Sequence, residues 1–342
     1  MPFPVTENVL KTKRHTIAYL ACGAPDAPLI GFAHGWPELS ISWRHQLPVL
    51  ADLGFLCVAP DMRGYGRSSV YDRHADYAIE HSVRDMIELQ DSLKRERAVW
   101  VGHDWGSPVV WGIASHHPDR CHGVANLCVP YLPKGFALES LVPLVDRALY
   151  PQDEFPAGQW EYLLFYRENF AKACAAFEAN SRDTVKALFR KGSAAARGKP
   201  ARTALVRRDG GWFGGAGRAP DVPMDRDVLS EADLAAYAAA LERSGFFGPD
   251  SWYMNQDRNT AYSAAAINDG RLGMPVLFLH GANDMTCDTT GSRLAEPMRQ
   301  SCADLTEVVI QSGHWMAQEC PVAVNAALAK WLARKLPEVW PL

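Results

Sequence analysis

The sequence predicts an α/β fold: a mostly parallel sheet flanked by helices, with a helical cap inserted between core strands. Three observations carry this. Short apolar strands alternate with helical patterns in the first third, strand signals vanish between Pro130 and Ala266, and the alternation resumes to the C-terminus. The early strands are "APLIGFAHG" (27–35), "FLCVAPD" (55–61), "AVWVGHD" (98–104) and "HGVANLCV" (122–129), and the helical patterns between them run over 42–53, 78–95 and 107–116. Short apolar runs alternating with helices mark parallel β-α-β units covered on both faces.

The middle reads as helices, including "QWEYLLFYRENFAKACAAFEA" and "SEADLAAYAAALERSG". In the latter, Ser230 caps the start, Asp233 completes a capping box and Gly245 stops the helix. Residues 190–223 are rich in Gly, Arg and Pro and read as a solvated basic surface loop. The strands "MPVLFLHG" (274–281) and "LTEVVIQSG" (305–313) and a closing helix from Pro321 follow. The expected division is a core over 1–130, a helical cap over 131–266 and the rest of the core over 267–342. An insert at the carboxyl ends of such a sheet covers the ligand site.

The 342 residues suffice for a sizeable core. The net charge of −4 recruits neither nucleic acid nor an anionic membrane surface. No apolar run approaches the roughly 20 residues that span a bilayer, and the N-terminus has no basic-then-apolar signal pattern. Eight scattered cysteines form no C-x-x-C pair and read as reduced thiols of a cytoplasmic protein.

The chemistry concentrates in "VWVGHDWG" (99–106). Gly102 and Gly106 bracket a sharp strand-to-helix turn of the nucleophile-elbow type, which usually carries Ser at its centre. Here the centre is Asp104. Nucleophile, acid and base follow one another in chain order on this kind of elbow scaffold, and Asp104, Asp284 and His314 supply that order, each just past a strand end. Asp288 is the fallback acid. The loop "HGWP" (34–37) offers the Trp36 amide, and the residue after the nucleophile offers the Trp105 amide, as the two oxyanion donors. His34 reads as a hydrogen-bonding strut. Asp61 and Arg63 of "PDMRGYGRSS" read as structural, because that loop lacks the Lys and the glycine spacing of a phosphate loop.

Aspartate in place of serine changes the reaction. A serine that attacked an sp³ carbon would form an ether, which general-base chemistry does not cleave. A carboxylate forms an ester, whose carbonyl belongs to the enzyme and can be attacked by water. Asp104 therefore points to hydrolytic displacement at an alkyl carbon, of an epoxide or of a carbon–halogen bond. An opening epoxide needs a proton donor, and Tyr162 and Tyr253 of the cap are phenols able to serve, packing being the competing reading of both.

The chain resembles the soluble type of α/β-hydrolase-fold epoxide hydrolases. The resemblance runs through "HGWPELSISWRHQLPVLADLGF", "APDMRGYGRSS", "VGHDWG", "GFFGPDSWY", "HGANDMTCD" and "SGHWMAQECP", over nearly all of 27–342. It implies an enzyme that needs no cofactor and no metal and takes a small-molecule epoxide and water, as a monomer or homodimer. It also implies that two cap tyrosines hold the epoxide oxygen. These correspond to Tyr253 and to Tyr162, with Tyr166 as the alternative for the second, while Trp36 and Trp105 join them around the substrate. A haloalkane dehalogenase of the same fold, taking a halide donor from Trp160, Trp212 or Trp252, and an inert hydrolase-like binding protein are the other readings. The basic segment 190–223 departs from the resemblance.

Overall fold

The computed structural model describes residues 3–341. Its centre is an eight-stranded sheet of β1 (Thr6–Lys11), β2 (Thr16–Cys22), β3 (Leu29–Ala33), β4 (Leu56–Pro60), β5 (Ala98–His103), β6 (Cys121–Leu127), β7 (Leu272–Gly281) and β8 (Cys302–Ile310). The spatial order is β1-β2-β4-β3-β5-β6-β7-β8. β1 and β2 pair antiparallel with each other and β2 antiparallel with β4, and all later pairings are parallel. The six strands read from the sequence are all present. β1 and β2 are additions. β1 is a half-exposed edge strand with Thr, Glu, Asn and Lys among its six residues, so it lacks the apolar run that marks a buried strand.

The order of the strands fixes the position of the site. From β3 the chain crosses to β4 on one side, and from β5 it crosses to β6 on the other. The connections leaving the carboxyl ends of β3 and β5 therefore diverge and open a crevice, the switch point where ligands bind in open α/β sheets. β3 and β5 are direct neighbours, with Ala33 opposite Gly102. The backbones after them run so close that a Cβ on Gly106 would lie 2.0 Å from the Ala33 carbonyl oxygen. Every residue of β3, β4 and β5 is buried, so this floor is rigid.

Between β6 and β7 the described residues contain helices and loops but no strand. The main helices are Glu161–Glu178, Ser181–Leu188 and Glu231–Ser244. The last has the expected capping box between Ser230 and Asp233, and Gly245 follows it at φ +68°. The basic segment 190–223 differs from the solvated loop read from the sequence. Ala201, Thr203, Ala204, Val206, Trp212 and Ala219 are buried within it, and it is docked on the core. All eight cysteines are free thiols. Among the described residues no helix is long and apolar enough to cross a membrane.

Candidate active site

Asp104 sits at the elbow with φ +49°, in the left-handed region that a non-glycine residue enters only when its surroundings enforce it. The turn lifts its carboxylate above the carboxyl edge of the sheet. Gly35 makes room for it, because a Cβ there would lie 2.3 Å from Asp104 Oδ1. The Trp36 amide donates to Asp104 Oδ1 at 2.6 Å. The Trp105 amide makes no hydrogen bond among the described residues, so one of the two expected donors is engaged.

His314, after β8, brings Nε2 to 3.4 Å from Asp104 Oδ2. Its Nδ1 lies 2.7 Å from Asp284 Oδ2. The other oxygen of Asp284 accepts the amides of Thr286 and Cys287 at 3.1 and 3.0 Å. Burial opposes ionisation of Asp284, but His314 and these amides outweigh it and hold its pKa below the usual range. Burial likewise opposes the charge on His314, and the Asp284 and Asp104 carboxylates raise its pKa well above that of a free imidazole. Asp288 is a turn residue whose carboxylate accepts the amides of Thr290 and Gly291, and it does not meet His314.

A second buried layer holds these parts. His103 Nδ1 is 2.7 Å from Glu38 Oε2, and its Nε2 donates to the His314 carbonyl oxygen at 2.7 Å. The Gly35 amide also donates to Glu38 Oε2, at 2.9 Å. The loops carrying Trp36, Asp104 and His314 therefore share one buried ion pair. Cys128 adds a thiol to the same His314 carbonyl at 3.3 Å. His103, Cys128 and His314 bring potential metal-ligating atoms within 4.8 Å of one another, but the ring nitrogens of both histidines are already engaged as described. Both residues of the ion pair lie inside motifs visible in the sequence, "HGWPE" and "GHD". Their pairing across 65 residues was not visible there.

Above the carboxylate is a cavity of about 370 Å³ that includes Trp36, Asp104, Trp105, Tyr162, Tyr253 and His314 in its lining. The rings of Tyr162 and Tyr253 are 5.6 Å apart and nearly perpendicular. Neither hydroxyl is engaged by a protein partner among the described residues. Burial, and to a lesser degree the neighbouring Asp104, raise the pKa of both phenols, so both carry their proton at neutral pH. Tyr166 is turned away: its hydroxyl donates to Asp250 Oδ1 at 3.1 Å and its ring stacks on Tyr253 at 4.5 Å. Of the tryptophans, Trp212 lines the cavity, Trp252 donates its indole N–H to the Arg63 carbonyl at 3.2 Å, and Trp160 is fully buried outside the lining. Part of the basic segment, including Arg202, Thr203 and Trp212, forms one wall.

The remaining motifs are structural. His34 Nε2 accepts the Met62 amide at 2.9 Å, tying the first two β-α loops together. Arg63 makes a two-pronged pair with Asp85 at 2.8 and 2.9 Å, and Asp61 Oδ1 accepts the Ser40 amide at 3.0 Å.

An elbow at the switch point of this sheet, with an acid and a base after the last two strands, defines an α/β hydrolase, and the α/β hydrolase fold family matches residues 28–319. Epoxide hydrolase A of Mycobacterium tuberculosis is 35% identical over 331 residues, covering 96% of this chain and 97% of that protein. Epoxide hydrolase B of the same organism is 31% identical, covering 96% and 99%. The crystal structure of Epoxide Hydrolase A from Mycobacterium thermoresistibile superposes with a TM-score of 0.80 at 32% identity, covering 97% of this chain and 99% of that one. The chain belongs to the epoxide hydrolases of the α/β-hydrolase fold.

Proposed function

We propose that this protein opens an epoxide with water to a vicinal diol through a covalent ester on Asp104. The observation that carries the proposal is the facing arrangement: a carboxylate with one oxygen on the Trp36 amide and the other near His314, beneath two phenols with unengaged hydroxyls.

Asp104 Oδ2 attacks an epoxide carbon, the C–O bond breaks, and Tyr162 and Tyr253 hold the developing alkoxide and supply its proton. The phenolate regains that proton from solvent. Esterification removes the negative charge of Asp104, and with it one of the two carboxylates that keep His314 protonated. The imidazole then releases its proton and becomes the general base, oriented by Asp284. It deprotonates a water that attacks Cγ of Asp104. The oxyanion forms on Oδ1, at the Trp36 amide and within the reach expected of the Trp105 amide. The Cγ–Oδ2 bond breaks and the diol leaves with a proton from His314.

The residues 131–266 act as a cap that excludes water from the alkylation step. The reaction consumes only the epoxide and water. We place it in the cytoplasm, which eight unpaired thiols support, in a monomer or homodimer. Of the three tryptophans that are candidate halide donors, Trp252 is committed to the Arg63 carbonyl and Trp160 lies outside the cavity lining, which leaves Trp212 alone for halide displacement, whereas two phenols with unengaged hydroxyls stand ready for an epoxide oxygen.

A single turnover on styrene oxide in ¹⁸O-water tests the reading. Unlabelled diol with label in Asp104 is expected. Label appearing directly in the diol would mean that water attacks the epoxide itself. Turnover of bromoalkanes without turnover of styrene oxide would favour the dehalogenase.

A further inference from the structure

Asp250 is a fully buried carboxylic acid that the reaction does not use. It lies in the short helix Phe247–Ser251, three residues before Tyr253. Three donors converge on it from two other parts of the chain. The Trp36 indole N–H reaches Oδ1 at 2.8 Å, the Tyr166 hydroxyl reaches Oδ1 at 3.1 Å, and the Cys174 thiol reaches Oδ2 at 3.3 Å. Trp36 belongs to the loop after β3, and Tyr166 and Cys174 to the helix Glu161–Glu178.

No Lys, Arg or His pairs with Asp250 among the described residues. Burial raises its pKa to about 7 despite the three donors. Burying a carboxyl without a counter-cation is unfavourable, and an apolar side chain of similar size would avoid that cost. An apolar residue would also leave the Trp36 indole and the Tyr166 hydroxyl without acceptors inside an aromatic cluster. The acid is therefore accounted for by what it holds in place.

Both of its main partners touch the reacting groups. Trp36 spans two carboxylates, its main-chain N–H on Asp104 and its indole N–H on Asp250. Its ring stacks on Trp212 at 5.4 Å and meets the edge of Tyr253 at 5.9 Å. Tyr166 lies parallel to Tyr253, with ring centroids 4.5 Å apart and planes 7° from parallel. Fixing Trp36 fixes the rotation of the loop whose amide faces Asp104. Fixing Tyr166 fixes the platform under a proton-donating phenol.

We infer that Asp250 is a positioning residue that joins cap to core and sets, through Trp36 and Tyr166, the alignment of the oxyanion amide and of Tyr253. This rests on the reading of Trp36 and Tyr253 as parts of an epoxide-opening site. A misplacement on the order of 1 Å in such a site costs up to about 100-fold in rate. The loss falls on both chemical steps, since one partner serves ester formation and the other ester breakdown.

The test measures single-turnover rates of ester formation and ester breakdown on styrene oxide, normalised to the active fraction so that partial unfolding does not enter. The variants are Asp250→Leu, Asp250→Asn, Trp36→Phe, Tyr166→Phe, Trp36→Phe/Tyr166→Phe, and Asp250→Leu added to that double variant. Asp250→Leu is expected to slow both steps by about 10- to 100-fold, with KM changed much less than kcat. Asp250→Asn keeps a carbonyl acceptor and should recover most of the loss. In the Trp36→Phe/Tyr166→Phe background Asp250→Leu should add little, because the groups it acts through are already gone. If Asp250→Leu does not fold, Asp250→Asn and the two single partner variants carry the same comparison: Asn near the wild-type rates, and each partner variant slow in its own step. Unchanged rates in folded Asp250→Leu, or a full multiplicative loss in the combined variant, would overturn the inference. A wild-type enzyme inert toward every epoxide would instead remove the functional reading on which it rests.

Discussion

His103 holds the main chain of His314: its Nε2 donates to the His314 carbonyl oxygen at 2.7 Å, while its Nδ1 faces Glu38 at 2.7 Å. A carbonyl and a carboxylate can only accept, so both ring nitrogens carry protons and the ring is an imidazolium. Burial opposes that charge, and Glu38 outweighs burial and pushes the His103 pKa up to about 10. Burial opposes the charge on Glu38 too, and His103 outweighs it and brings the pKa down to about 2.

The pair fixes a pH window for stability. The His103 contribution is full below its ordinary pKa of 6.5 and is lost as pH rises toward about 10. The Glu38 contribution is full above its ordinary pKa of 4.5 and is lost as pH falls toward about 2. Glu38→Gln leaves a buried histidine without its counter-charge and should cost about 3–5 kcal/mol. Chemical denaturation across pH should show the gap between wild type and variant widest from pH 4.5 to 6.5 and shrinking on both sides. A gap independent of pH would mean that the pair is not ionised.

In the proposed reaction His314→Gln removes the base but not the nucleophile. The variant should open one epoxide and stop, gaining one substrate mass on Asp104. Intact-mass spectrometry reads this directly. In the wild-type enzyme, ester breakdown should speed up as pH rises through the pKa of His314 in the alkylated state. An unmodified but folded His314→Gln protein would contradict the division of labour.

In the proposed reaction the two phenols share the developing alkoxide. Tyr162→Phe or Tyr253→Phe alone should slow ester formation by about 10- to 100-fold, the scale of losing one such donor. The double variant should be almost inactive on epoxides, because it has lost both phenols whose hydroxyls are unengaged in that cavity. Stopped-flow quenching of Trp36 and Trp105 fluorescence follows the step. Full alkylation rates in the double variant would take the tyrosines out of the reaction.

The basic segment braces the loop that carries His314. A Cβ on Gly192 would lie 2.2 Å from the Gly313 Cα, and the Glu319 carboxylate accepts the amides of both glycines. Arg197 Nε adds hydrogen bonds to the Ala282 carbonyl at 3.0 Å and to Asn283 Oδ1 at 2.9 Å, next to Asp284. Gly192→Ala must push these backbones apart. It should cost about 1–3 kcal/mol and slow ester breakdown more than ester formation, as rapid-quench time courses would resolve. Equal slowing of both steps would mean that the displacement spreads beyond the His314 loop.

Much of the site was legible in the sequence because its parts are local. The elbow needs glycines at 102 and 106, where backbones nearly touch, and Asp284 and His314 stand directly after apolar strands. Six strands announced themselves as apolar runs, five of them largely buried and β8 a half-exposed edge strand, while β1 is a polar edge strand that carries no such signal and β2, an interior apolar strand, lies ahead of the strand–helix alternation. The capping box at Ser230 was equally plain, being complete within four residues.

What the sequence by itself determined was the kind of fold, the chain order of Asp104, Asp284 and His314, and a carboxylate rather than a hydroxyl at the elbow, because each is written in residue identity and short spacing. Tertiary structure alone decided that Tyr162 rather than Tyr166 lines the cavity, since the two stand one turn apart on the same face of one helix and only the packing of Asp250 against the Tyr166 hydroxyl separates them. It also brought Glu38 to His103, Trp36 to Asp250, and Gly192 to Gly313, contacts between residues 65, 214 and 121 positions apart in the chain. Such contacts leave no local pattern. They exist only because the sheet order and the docking of the insert bring distant loops together over one crevice.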